Sequence, residues 1–108
     1  MADYLKWYDT VGSTNTEMAL ARAGLPDCSI FAARRQTAGR GQRGNRWESR
    51  PGENLTFSLL LKPVSVPVRA QFIVSEAVAL GITDYLAEAG VEAKVKWPND
   101  LYVGDRKI

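Results

Sequence analysis

The chain has 108 residues, of which 45% are hydrophobic and 24% charged, with a formal net charge of +2. Those proportions fit one ordinary soluble globular domain, or part of one, and so small a charge gives no argument for nucleic acid by itself. Histidine is absent and Cys28 is the single cysteine, which excludes a histidine general base, a Ser-His-Asp triad, most zinc sites and any internal disulfide. Catalysis, if present, has to rest on lysine, arginine, carboxylates, backbone amides or a loosely held magnesium ion.

A lone thiol agrees with a reducing cytoplasm. No stretch is apolar for long enough to span a bilayer, and the opening Met1-Ala2-Asp3-Tyr4-Leu5-Lys6-Trp7 lacks the basic-then-apolar pattern of a secretory signal. A cytoplasmic protein without a membrane segment is therefore expected.

Tyr4 to Tyr8 reads as an aromatic-rich first strand. The turn Asp9-Thr10-Val11-Gly12 leads to Ser13-Thr14-Asn15-Thr16-Glu17. Thr14 and Glu17 have capping-box spacing, which predicts a helix from about Thr14 to Ala23, stopped by Gly24 and Pro26. Ser13, Thr14 and Asn15 suit helix capping, and equally suit a ligand facing the free N–H groups of a first turn. Ser29 to Arg35 reads as a short buried strand. Beyond the turn signals of residues 48–53, Leu55, Phe57, Leu59 and Leu61 alternate with Thr56, Ser58, Leu60 and Lys62, which predicts a strand with its core face on the first set.

A long helix is predicted from about Arg69 to Glu88, with Phe72, Ile73, Ala77, Leu80, Ile82, Tyr85 and Leu86 forming a wide apolar stripe that should lie deep against a sheet. Gly90 ends it. Val91, Ala93, Val95 and Trp97 then alternate with Glu92, Lys94 and Lys96, a strand that places Lys96 on the face opposite Trp97. Pro98-Asn99-Asp100 breaks the pattern, Leu101-Tyr102-Val103 resumes it, and Gly104-Asp105 reads as a two-residue hairpin turn. Ending as the partner strand begins, the chain is expected to be truncated.

The segment Gln36 to Trp47 holds three glycines and three arginines. Glycine lets backbone amides approach a ligand closely, and arginine offers a charged planar fork for carboxylate or phosphate oxygens. Such a loop is built to close on an anion. It is not a Walker loop, because no Gly-Lys-Ser/Thr follows, and no helical pattern follows to make a dinucleotide fingerprint. Alone it also fits a basic surface loop or a nucleic-acid-binding segment. Lys96-Trp97-Pro98-Asn99-Asp100 is likewise ambiguous: a lysine ending a strand can reach into a cleft or lie in water, and Asn99 and Asp100 are good turn residues in any case.

In combination these stretches are more specific. Ser13-Thr14-Asn15, then Gln36 with Gly39 to Trp47, then Lys96 to Asp100, in that order and spacing, resemble the biotin protein ligases over essentially the whole chain. The resemblance implies an α+β fold, a mixed β-sheet with helices packed on it, similar to the core of class II aminoacyl-tRNA synthetases. It implies an enzyme that attaches biotin to a lysine of a biotin carboxyl carrier domain at the expense of ATP, through biotinyl-5'-AMP, with magnesium accompanying ATP. By the same resemblance Ser13, Thr14, Asn15 and Gln36 hold biotin. Gly39, Arg40, Gly41 and Gln42 contact biotin and the adenylate, Trp47 helps enclose them, and Lys96 with Arg40 supplies charge at the reacting carboxylate and phosphate.

The usual loop of that family reads Gly-Arg-Gly-Arg-x-Gly-Arg, and here Gln42 and Asn45 stand in place of two arginines. Residues 1–108 are expected to form the N-terminal portion of the catalytic domain. A helix-turn-helix domain, and with it a DNA partner, is not expected, and the later half of the catalytic domain and the C-terminal β-barrel of relatives are expected to lie outside these residues. The family also allows a homodimer. Two rival readings are a lipoate–protein ligase, which shares the fold and adenylation logic, and a nucleic-acid-binding module using the arginine loop.

Overall fold

The computed structural model describes residues 4–108 apart from Gln42, Arg43, Trp47, Ser49, Val64, Trp97, Pro98 and Asn99. The chain divides into two compact units, Met1–Pro63 and Val64–Ile108.

In the first unit, strand β1 (Leu5–Val11) is followed by helix α1 (Thr14–Ala21), a 3₁₀ turn (Arg22–Gly24), strand β2 (Ile30–Gln36) and strand β3 (Thr56–Leu59). β1 and β2 run parallel and β3 pairs antiparallel with β2, so β2 is the central strand. A parallel pair needs a crossover, and α1 supplies it. The core is thin and centred on β2, where Phe31, Ala32 and Ala33 are buried together with Met18 of α1. Tyr4 and Tyr8 add ring contacts to Phe31 at centroid distances of 6.2 and 5.8 Å.

Register decides which face of this sheet is inside. Lys6, Phe31 and Ser58 share one row and Tyr8, Ala33 and Thr56 another, all on the same face. That is the face covered by α1, whose Thr14 hydroxyl lies 2.7 Å from the Ser58 hydroxyl. The expected core face of β3 is therefore reversed: Thr56 and Ser58 are buried, while Phe57 and Leu59 are 45% and 40% exposed. Apolar alternation identified the strand but not its inner side, because the helix covers the hydroxyl-bearing face.

The second unit opens with a 3₁₀ turn (Val68–Ala70) and helix α2 (Gln71–Glu88), then β4 (Lys94–Lys96), β5 (Asp100–Val103) and β6 (Arg106–Lys107). α2 ends on Gly90 at φ +84°, with the Val91 amide donating back to the Leu86 carbonyl at 2.8 Å, a 6→1 closure that only a left-handed residue allows. The strands form an antiparallel meander, and Gly104-Asp105 is its two-residue turn, as expected. Only Gly104 of that pair has positive φ, +63°, the arrangement of a type II′ turn.

Two expectations for this unit need correction. β4 covers Lys94–Lys96 alone, within the longer run expected from Val91 to Trp97, and Trp97 lies outside the described residues. α2 buries only Ala79, and Phe72, Ile73, Leu80 and Tyr85 stay more than half exposed or close to it. Strands of three, four and two residues are too short to cover an 18-residue helix. The α+β class is as expected. Among the described residues the strands form two three-stranded sheets rather than a single mixed sheet.

Candidate ligand-binding site

The carboxyl ends of parallel strands β1 and β2 come together where α1 begins. Beyond β2 the ladder continues, with Thr37 N–H donating to the Val11 carbonyl (3.0 Å) and Ala38 N–H to the Gly12 carbonyl (2.7 Å). Ser13, extended at φ −156° and ψ 128°, is the N-cap of α1, and its hydroxyl accepts from the Thr16 amide at 3.3 Å. The capping role thus belongs to Ser13 and not to Thr14. Thr14 is left for another task.

That task is a polar cluster on the inner face. Thr14 donates its backbone N–H to Gln36 Oε1 at 2.8 Å, and its hydroxyl lies 3.1 Å from the same oxygen. The Thr14 hydroxyl also meets Ser58 Oγ, and Ser58 in turn donates to Asn15 Oδ1. Thr14 and Ser58 are 3% and 7% exposed, so these bonds lie in a low-dielectric setting where polar groups must be paired. Three of the sequence-predicted residues, Thr14, Asn15 and Gln36, are thereby joined. The fourth, Ser13, anchors the helix that carries two of them.

Gln36 also lines a groove of about 610 Å³ together with Arg35, Thr37, Gly39, Arg46, Glu48, Arg50 and Glu53. That volume is in the range of small-molecule sites. Gly39 is buried at the base of the arginine loop. Arg40 is exposed, donates from Nη2 to Thr16 Oγ1 at 3.0 Å, and forms an isolated antiparallel bridge with Arg46. Gly41 N–H donates to the Asn45 carbonyl at 2.5 Å, so the loop folds back on itself, with Gly44 at φ +78° in the bend. Arg46 of the loop and Arg50 beyond it have exposed carboxylate partners, Glu48 at 2.9 Å and Glu53 at 3.9 Å. Gln42 and Trp47, both expected in the site, lie outside the described residues.

In the second unit, pairing puts Lys94, Lys96, Asp100, Tyr102 and Lys107 on one face of the meander. Lys96 Nζ lies 5.5 Å from the centroid of the Tyr102 ring, a cation–π contact. Asp100 faces Lys96 across the ladder, yet its carboxylate pairs with Lys107 Nζ at 3.0 Å. Sequence reasoning singled out Lys96 and missed Lys107. The signal was available: a two-residue turn at Gly104-Asp105 returns the chain so that Lys107 lies beside Tyr102. Ser58 was missed for another reason, its face having been assigned outward. Among the described residues no group of three or more Cys, His, Asp or Glu could hold a metal, and no helix is long and apolar enough to cross a membrane.

A β-α-β unit with a polar cluster at its carboxyl edge, followed by a glycine-arginine loop, defines an α+β domain. The chain belongs to the biotin/lipoate A/B protein ligase family, whose profile it matches over residues 7–108. It is 34% identical over 110 residues to the bifunctional ligase/repressor BirA of Bacillus spizizenii, covering 99% of this chain and 33% of that protein. To the biotin–[acetyl-CoA-carboxylase] ligase of Mycobacterium tuberculosis it is 35% identical over 104 residues, 90% of this chain and 39% of the relative. Among solved structures, the biotin protein ligase of Aquifex aeolicus in complex with biotin and ATP superposes with a TM-score of 0.81 at 31% identity, over 98% of this chain and 44% of the other. The chain thus spans about a third of the length of the curated relatives it matches.

Proposed function

We propose that these residues carry the biotin- and ATP-handling part of a biotin–protein ligase. The observation that carries the reading is the Thr14–Gln36–Ser58–Asn15 cluster, buried at Thr14 and Ser58, at the strand ends of a member of this family. A floor of hydroxyls and amides suits biotin's ureido ring, which both donates and accepts hydrogen bonds. It suits the apolar dithiolane of lipoate poorly, since buried polar groups left unpaired by a ligand cost affinity. A relative whose structure was solved with biotin and ATP supports the same choice. The family match supports an enzyme over a nucleic-acid-binding module.

In this reading a biotin carboxylate oxygen attacks the α-phosphorus of ATP and the bond to pyrophosphate breaks. The amine of a carrier-domain lysine then attacks the acyl carbon of biotinyl-5'-AMP, and AMP leaves. The first step brings two anions together, so positioned cations offset the repulsion. Gly39, Arg40, Gly41, Gln42 and Trp47 close over the ligand and keep water from the mixed anhydride. Arg40 and Lys96 supply charge at the reacting groups, and Lys107, on the same face of the meander as Lys96, is a second lysine for that role. Magnesium accompanying ATP would offset charge on its phosphates, a mode that needs only one or two protein carboxylates.

The test has two parts. The melting temperature of the 108-residue chain should rise with biotin, and further with biotin and ATP together, because a ligand that binds only the folded state stabilises it. The whole protein should exchange labelled pyrophosphate into ATP in a biotin-dependent manner. Exchange driven by lipoate and not by biotin would replace this reading with the lipoate one.

A further inference from the structure

We propose that Ser58 is a positioning residue that sets the hydrogen-bond polarity of the biotin site, turning the side-chain amides of Gln36 and Asn15 into donors toward the ligand. The inference rests on the biotin reading above and adds to it a residue and a direction.

The accounting starts from a donor whose direction is not in question. The backbone N–H of Thr14 can only donate, and it does so to Gln36 at 2.8 Å, so the atom it meets is Oε1. Gln36 therefore keeps its Nε2 amino group off Thr14, and Gln36 is one of the residues that line the groove. The Thr14 hydroxyl has one proton and two acceptors within reach, Ser58 Oγ at 2.7 Å and Gln36 Oε1 at 3.1 Å. Ser58 also has one proton, and it goes to Asn15 Oδ1. With its own proton committed, Ser58 meets Thr14 as an acceptor, and the Thr14 proton takes the shorter path to it.

The outcome is a directed chain, Thr14 to Ser58 to Asn15, that occupies the oxygen of Asn15 while the Thr14 amide occupies that of Gln36. Both amides then keep their N–H₂ groups for other acceptors; Gln36 lines the groove and Asn15 is exposed beside the start of α1. A site polarised in this way selects a group that accepts, such as the ureido carbonyl of biotin. Were the chain to run in reverse, Asn15 would donate to Ser58, Ser58 to Thr14 and Thr14 to Gln36, and the oxygen of Asn15 would face outward. Ser58 is the member whose bonds distinguish the two directions, because it alone touches both Thr14 and Asn15.

The experiment measures binding of biotin and of 2-iminobiotin to the whole protein at neutral pH. The analogue carries a protonated guanidinium in place of the urea, so it donates but cannot accept. Wild type should bind biotin and reject the analogue strongly. Ser58→Ala should bind biotin about tenfold more weakly, the scale of one buried hydrogen bond, and should narrow the biotin-to-analogue ratio at least tenfold, because Asn15 is freed to flip. Ser58→Thr, which keeps the hydroxyl, should preserve the ratio. If Ser58→Ala does not fold, Ser58→Cys, close in volume and a weak donor, serves in its place and should also narrow the ratio. A folded Ser58→Ala or Ser58→Cys variant that keeps the wild-type ratio overturns the proposal. So does a wild type that binds the analogue as well as biotin, the signature of the reversed chain. A wild type that binds neither compound overturns the biotin reading itself, which separates the two failures.

Discussion

Ser13, Thr14 and Asn15 are three consecutive residues with distinct local roles. Ser13 spends its hydroxyl on the Thr16 amide and fixes where α1 starts, whereas the Thr14 hydroxyl meets Ser58 and Gln36 and the Asn15 amide oxygen accepts from Ser58. The sequence could nominate the triplet but not apportion it, since any of the three side chains can cap a helix. The lysines invite the same separation. Lys96 rests against Tyr102, while Lys107 neutralises Asp100. In the whole protein, Lys96→Ala and Lys107→Ala should each lower biotin-dependent pyrophosphate exchange, by roughly ten- to a thousandfold, the span seen when a group facing developing charge is removed. Lys107→Ala should be the more damaging, because it also takes away the ammonium that pairs with Asp100 here. Full exchange in the Lys107→Ala protein beside a collapsed Lys96→Ala protein would assign the role to Lys96 alone.

At the level of elements, the reading from sequence located every strand and helix within a few residues, because capping residues, glycine stops and period-two alternation are local signals. What it could not reach was set by partners distant in the chain. The inner face of β3 depends on its register with β2, and the strip it presents holds Thr56 and Ser58 because α1 covers that face. The hairpin of the second unit is the reverse case, where local chemistry controls the pairing. Gly104 at φ +63° permits the turn that returns Lys107 to Asp100. Gly104→Ala should destabilise the hairpin by about 1–2 kcal/mol, the cost of a side chain in the left-handed region. Pyrophosphate exchange should fall along with the melting temperature in this variant. A Gly104→Asn variant, which tolerates that region better, should recover part of both. Equal melting temperatures for wild type and Gly104→Ala would remove the turn from the argument.

Across the whole chain, apolar surface is left open in both units. Leu5 and Trp7 of β1 and Phe57 and Leu59 of β3 share the sheet face opposite α1, and all are at least 40% exposed. α2 leaves Phe72, Ile73, Leu80 and Tyr85 at 50% or more. Singly exposed apolar residues are ordinary, but contiguous faces of this kind are surfaces that a folded protein normally covers. A net charge of +2 offers little repulsion to keep copies apart. The 108-residue chain by itself should therefore bind a hydrophobic dye and self-associate, with association growing over roughly the micromolar to millimolar range typical of exposed apolar surface. Added sulfate should strengthen that association, as expected for apolar contact, where a charge-driven complex would weaken. Replacing Trp7 and Phe57 together by threonine, a good strand former, should reduce dye binding while leaving the Thr14–Ser58 side of the sheet intact. Sedimentation equilibrium with parallel dye titration decides the matter, and a monomer that stays dark across that concentration range would show that these faces are covered in solution.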